Sequence, residues 1–315
     1  MNKNLEKEFF QFIFERQLVW YKRFCVKASI WTKDKTLQKY KFCNVYRELD
    51  KGTFYIIEKL KKTRNRKIIF QNVVFYRFFN KYNLYEDLKI DVIKKFDNKT
   101  IQLLINNFNN LKKSGKTIFG DAYLISGNQT NEAKHIFILN NLKKFFENKN
   151  LEKIIQKIDS PEIPEKSLEV IKQIPSIGNF LAYEIWIDLT YFNFFKQCWT
   201  DNDFVNIGPG AKWGLELIYN KKLKNKEQLE KIYYLYTIQN QYLDKIKKDN
   251  RSWKQIAYKK CFSSYPYLSI RNMEHSLCEF RKYLRLKNNL GKKGIINKKT
   301  FYFNSLLSRH IIFLT

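Results

Sequence analysis

Two carboxylates separated by one residue, Asp201 and Asp203, stand just ahead of a Gly-Pro-Gly triplet at 208–210. A carboxylate beside a sugar stabilises the positive charge that grows there as a bond breaks, and it can orient an attacking water. Asp-Asn-Asp is equally a good capping sequence ahead of a turn. Both readings stay open, and either residue could take the chemical part. Upstream, Ile174-Pro175-Ser176-Ile177-Gly178-Asn179 has the make-up of a tight hairpin between two apolar helices. Pro175 fixes the turn, Gly178 lets the backbone come close to a ligand, and Ile174 and Ile177 are placed to pin the helices together. The second helix would open on unbonded backbone N–H groups, a ready site for one phosphate. An ordinary helix corner with no ligand is the plainer alternative. Gly208, Gly210 and Lys212 extend the candidate contacts, because a bare backbone and a lysine can both approach a phosphate.

Other residue types widen the candidate site. Glu184 and Asp188 lie four apart on one helical pattern, so both can face the same side. Arg47 and Arg77 sit among aromatic residues; they can grip phosphates bidentately or pair with Glu48 and Asp50. Tyr123, Asn128 and Gln129 lie in a polar stretch. A tyrosine can stack on an extruded base, and Asn and Gln can read a base edge; a surface loop with Asn128 as a helix cap is the alternative. The three histidines, His135, His275 and His310, are far apart, and the five cysteines form no Cys-x-x-Cys pair. Neither a metal centre nor a cofactor is expected.

The elements that must position these residues are helices. Apolar residues recur at helical spacing over residues 5–26, 45–60, 69–79, 100–111, 133–146, 180–189, 226–246 and 273–284, while alternating strand patterns are scarce. An all-α fold is expected: one helical unit over 1–315, with an N-terminal lobe to about residue 160, a hairpin and acidic segment over 161–215, and C-terminal helices over 216–315. The active site is expected between two helical lobes. Of ten glycines, seven lie between residues 115 and 214, which places the important turns there. Residues 159–164 (DSPEIP) read as a linker ahead of a helix, and 287–299 as a basic loop.

Charge names the class of partner. Lys and Arg number 59 against 30 Asp and Glu, a formal net charge of +29. Such a surplus favours a polyanion, since neutralised phosphates release condensed counterions. AT-rich codon usage, which also enriches Lys, Asn, Ile, Phe and Tyr, is the competing explanation. No stretch is long and apolar enough for a membrane helix, the N-terminus lacks a signal peptide's apolar centre, and scattered cysteines suit free thiols in a reducing cytoplasm. DNA is the expected partner, double-stranded and with a flipped base; neither a membrane nor an obligate protein partner is expected.

The hairpin resembles the LPGVG-x-x-[TS]-A hairpin of helix-hairpin-helix DNA glycosylases, which carry a catalytic aspartate about twenty residues after the hairpin glycine. Asp201 and Asp203 lie 23 and 25 positions after Gly178, with Asp203 slightly favoured. Members that also cut the DNA backbone place a lysine where this chain has Phe180, so a monofunctional enzyme leaving an abasic site is implied. A wider set of segments is similar to the alpha-glutamyl/putrescinyl thymine pyrophosphorylase family. These are residues 44–53 (NVYRELDKGT), 75–80 (FYRFFN), 120–127 (GDAYLISG), 180–189 (FLAYEIWIDL), 208–211 (GPGA) and 274–283 (EHSLCEFRKY). That resemblance implies chemistry on hypermodified pyrimidines in DNA. The leading expectation is a glycosylase releasing a bulky modified pyrimidine, in defence against phages with modified genomes. The alternatives are a transferase that attaches an amino acid or polyamine to an activated 5-hydroxymethyl pyrimidine, and a non-catalytic reader of modified DNA.

Overall fold

The computed structural model describes residues 3–120, 132–147, 150–258 and 266–289. Among them lie fourteen α-helices and a single two-residue β-ribbon, pairing Lys247–Lys248 with Arg251–Ser252. The fold is all-α. The chain divides into two compact units, Asp50–Phe204 and Met1–Leu49 with Val205–Thr315. In chain order the helices are α1 (Lys3–Phe24), α2 (Lys35–Lys39), α3 (Lys51–Leu60), α4 (Arg66–Phe79), α5 (Leu84–Asp87), α6 (Asn98–Lys113), α7 (Lys134–Phe146), α8 (Asn150–Asp159), α9 (Pro164–Ile171), α10 (Asn179–Thr190), α11 (Pro209–Tyr219), α12 (Asn225–Leu243), α13 (Trp253–Ile256) and α14 (Ile270–Lys287).

Each periodic stretch of the sequence becomes a helix, with instructive differences at the ends. The pattern over 45–60 breaks at Asp50, whose extended backbone (φ −68, ψ 137) caps α3. The residues before it form only a 3-10 turn, Arg47–Leu49. The linker over 159–164 is shorter than expected, because α8 runs to Asp159 and α9 starts at Pro164. Pro164 occupies the first turn of α9, where a missing N–H costs nothing.

The core of the unit Asp50–Phe204 is built on α4 and α10. From Ile69 to Phe79 every residue of α4 is buried, as is every residue of α10 from Leu181 to Thr190. A helix buried all round needs its polar groups satisfied from within, and that sets up the ion-pair chemistry described below. Stacked and edge-on rings, such as Phe79 against Phe108 at 4.4 Å and Trp186 against Phe195 at 5.0 Å, fill the same core.

In the other unit, α11 and α14 pack against each other along a glycine face. A Cβ on Gly214 would lie 2.5 Å from the Leu277 carbonyl oxygen, and one on Gly210 would lie 2.3 Å from Cys278 Sγ. Both glycines are thus needed for close helix contact. The Gly208-Pro209-Gly210 triplet, which reads as a turn in the sequence, begins α11, with Gly208 as N-cap and Pro209 in the first turn.

Candidate functional site

The hairpin forms between α9 and α10. Ile174 and Ile177 are buried and tether the turn to the core, while Ser176, Gly178 and Asn179 are exposed. A buried hydrogen bond from the Trp186 indole N–H to Ser167 Oγ, 2.8 Å, fixes α10 against α9. The segment leading into α9 is held as well. Arg66 grips Asp159 with two hydrogen bonds of 2.8 and 2.6 Å, and the Gln197 amide donates to the Asp159 and Pro161 carbonyls. The hairpin therefore stands on a braced base.

Its backbone is specialised in one unexpected place. Ser176, not Gly178, takes the left-handed conformation, with φ 67. Gly178 is the N-cap of α10 in an extended conformation (φ −91, ψ 179) that any residue adopts, and no side chain caps the helix start there. A Cβ on Gly178 would meet nothing within 4 Å. Neither backbone geometry nor internal packing calls for glycine at 178, so what its bare edge favours is close approach from outside.

Asp201 is buried, whereas Asp203 is exposed. Asp203 Oδ2 accepts from the Thr200 N–H and the Thr200 hydroxyl, each at 2.7 Å, and so reaches back across the short turn 200–203. The Tyr183 hydroxyl donates to the Phe204 carbonyl at 3.2 Å and ties the following segment to α10.

Glu184 and Asp188 do share one side of α10, and that side faces Arg77. The Arg77 guanidinium donates from Nε and Nη2 to the two Asp188 oxygens at 2.5 Å each, and from Nη2 to Thr53 Oγ1 and Nη1 to Asn80 Oδ1 at 3.1 Å. Glu184 Oε2 lies 3.9 Å from Nη1. All three charged residues are buried, Arg77 to within 1% of full burial. The planar fork of Arg77 is occupied by a carboxylate 111 positions away in sequence.

In the other unit, Arg47 lies buried in its 3-10 turn, and its N–H donates to Asn272 Oδ1 at 2.8 Å. Glu274 accepts from the Gly208 N–H at 3.1 Å and pairs with Arg271. Lys212 is half-buried on α11. Burial pushes the Cys278 thiol up to about 12, so it stays protonated against Gly210 and offers no thiolate nucleophile. Tyr123, Asn128 and Gln129 lie outside the described residues.

A further short sequence looks like chemistry and is not. Gly115-Lys116-Thr117 matches the end of a phosphate-binding loop, which uses N–H groups at a helix N-terminus. Here the triplet follows the C-terminus of α6. Gly115 has φ 73, and the N–H groups of Gly115 and Lys116 are bonded to the Lys112 and Leu111 carbonyls at 3.0 Å. It is a helix stop.

Together these features define a strongly basic, all-helical protein with one braced and bare-edged hairpin. Residues 3–293 match the family described as "5-hmdU DNA kinase, helical domain", and the chain belongs to that family. It is also 26% identical over 295 residues to the 5-hmdU DNA kinase of Bacillus phage SP10, covering 85% of this chain and 43% of that protein. The chain thus spans about two fifths of the length of that curated relative. No solved structure matches it.

These matches correct the sequence-based expectation. A modification family centred on 5-hydroxymethyl-dU is found, but it is neither the pyrophosphorylase family nor a glycosylase family. The hydrolytic glycosylase, with its abasic product, is overturned by a family and a relative both named for a kinase. The physical reason for the error is that a hairpin of a make-up suited to a phosphate carries no mark of which bond is made or broken. Transfer onto a 5-hydroxymethyl pyrimidine, the second expectation, lies nearer, although the group named is phosphoryl rather than an amine.

Proposed function

We propose that this chain is the DNA-holding helical part of a 5-hmdU DNA kinase: it grips DNA and presents the 5-hydroxymethyl group of the modified base to a phosphoryl donor. The observation that carries this reading is the family match over residues 3–293. The net charge of +29 and the open edge at Gly178 support it. In the reaction, the hydroxymethyl oxygen attacks the terminal phosphorus of a nucleoside triphosphate. A P–O bond to the base substituent forms, the anhydride bond breaks with loss of the diphosphate, and the hydroxyl proton passes to a base. Such transfers are governed by positioning and charge neutralisation. Holding the DNA is therefore a substantial share of catalysis. The hairpin takes one phosphate on the first N–H groups of α10, and Asp201 and Asp203 are the candidates for accepting the hydroxyl proton.

The test is Gly178→Val. Its side chain would enter open space on a backbone any residue adopts, so folding stability is expected to stay within about 1 kcal/mol of the parent. Affinity for a 5-hmdU duplex, measured by fluorescence anisotropy, is expected to fall about tenfold, as when one charge-assisted contact is lost. Parent-like affinity in a folded Gly178→Val protein would take the hairpin out of the DNA contact.

A further inference from the structure

The one strand pair among the described residues stands at the surface of the unit formed by 1–49 and 205–315. Lys247 lies opposite Ser252, and Lys248 opposite Arg251. Asp249 and Asn250 make the turn in left-handed conformations, with φ 49 and 59. Asp and Asn adopt that region more readily than most residues, and it suits the two-residue turn of a hairpin. The ribbon is anchored at both ends. Lys22, in the last turn of α1, pairs with Asp249 at the tip. At the base Trp253 is fully buried, and its indole N–H donates to the Pro266 carbonyl at 2.9 Å.

Side chains directly opposite each other in a ribbon share a face. The face of Lys248 and Arg251 turns to α1: Lys248 pairs with Glu15, and the Arg251 guanidinium lies 5.4 Å from the centre of the Tyr21 ring. Lys247 and Ser252 instead line an open cleft of about 650 Å³, together with Asp249, Asn250 and Gln255. No apolar side chain lines this cleft, so it suits a hydrated ligand. Two of its groups are uncommitted. Lys247 is exposed and pairs with no carboxylate among the described residues, and the Asn250 side-chain amide makes no hydrogen bond among them. The one acid in the cleft, Asp249, is answered by cations. Lys22 holds its carboxyl below the ordinary carboxylate range, and Lys248 and the exposed Lys33 add to that effect. The turn therefore presents a positive, hydrogen-bonding edge to solvent.

We infer that the ribbon 247–252 is a second DNA-holding element, which takes a backbone phosphate of the duplex between Lys247 and Asn250. The ammonium supplies charge and the amide a directed N–H, both of which phosphate oxygens accept. A free nucleotide fits less well. Sites for such ligands are lined mostly by apolar and aromatic side chains, and this cleft has none for a base to lie against. A two-stranded ribbon is also narrow enough to enter the major groove. The inference rests on the proposed DNA-holding role and adds to it a contact on the unit that does not carry the hairpin.

The experiment titrates the full chain with a blunt duplex by anisotropy at several salt concentrations. Lys247→Ala is expected to reduce the log–log salt slope by about 0.9, the value for one lost phosphate contact on B-DNA, and Lys247→Arg to keep it. Lys99→Ala removes another exposed lysine, on α6, that pairs with no carboxylate among the described residues. It is expected to leave the slope parent-like. Asn250→Gly keeps the left-handed turn and deletes the amide. Affinity is then expected to fall about fivefold with the slope unchanged, as for one lost hydrogen bond. Thermal melting checks each variant, and Lys247→Gln, which keeps the stem, stands in if the alanine protein fails to fold. A parent-like slope in the folded Lys247→Ala protein, or an equal loss in Lys99→Ala, alongside weakened duplex binding by Gly178→Val, would overturn the ribbon contact and leave the DNA-holding role standing. So would a Lys247→Ala effect confined to ATP binding, which would assign the phosphate to a free nucleotide. A parent chain that does not bind the duplex would overturn both.

Discussion

Replacing Arg77 by alanine is expected to destabilise the chain by about 3–5 kcal/mol, the cost of stranding a buried carboxylate without its partner. Arg77 and Asp188 are each only 1% exposed and share two hydrogen bonds of 2.5 Å. Removing the guanidinium takes both of those hydrogen bonds from Asp188, which stays in the interior with Glu184 close by. Thr53 and Asn80 lose a donor as well. The effect should come from the stranded charge rather than from the attraction of the pair. A double replacement, Arg77→Met with Asp188→Leu, is therefore expected to recover much of the loss, because apolar groups of similar volume often replace a buried pair at little cost. Urea denaturation of the three proteins measures this. A single variant that loses less than about 1 kcal/mol would mean that water reaches Asp188 and that the pair is not a buried anchor of α4 on α10.

The second large effect concerns salt. With a net charge of +29, the chain is expected to neutralise several backbone phosphates at once. For about six such contacts, affinity for duplex DNA falls roughly a thousandfold between 50 and 200 mM monovalent salt. The slope of log affinity on log salt is the quantity to measure, by anisotropy at fixed pH. A slope near zero would assign the lysine excess to codon usage and leave the proposed DNA contact without its electrostatic basis.

How much of this was legible beforehand depended on the range of the interaction concerned. The helices were readable because a buried stripe repeats every three to four residues, a local property of the chain. The hairpin at 174–178 was readable for the same reason: proline, glycine and two anchoring isoleucines lie within a few positions. The shared face of Glu184 and Asp188 followed from helix geometry, but the identity of what they face did not. Arg77 lies 111 residues from Asp188, and only tertiary packing joins them. Start of α11 at Pro209 was missed because Gly-Pro-Gly has turn chemistry on its own. The purpose of Gly210 and Gly214 appears only once Cys278 and Leu277 of α14 are beside them. At 176–178 the sequence drew attention to the glycine, whereas the left-handed residue is Ser176. The reaction class was the least legible of all. Binding a phosphate at a helix N-terminus serves hydrolysis and phosphoryl transfer alike, so a hairpin of this make-up carries no mark of the bond at stake.

The same distinction decides what to measure first. The central claim is that this chain holds DNA containing 5-hmdU for work on its hydroxymethyl group. Two duplexes of identical sequence, one with thymidine and one with 5-hmdU at a single position, are titrated with the full chain at matched pH and ionic strength. Matched phosphates cancel the nonspecific electrostatic contribution, leaving only recognition of the modified base. One additional hydrogen bond to the hydroxymethyl oxygen, of the order of 1 kcal/mol, predicts about fivefold tighter binding to the 5-hmdU duplex. Equal affinities, or tighter binding to the thymidine duplex, would contradict the account.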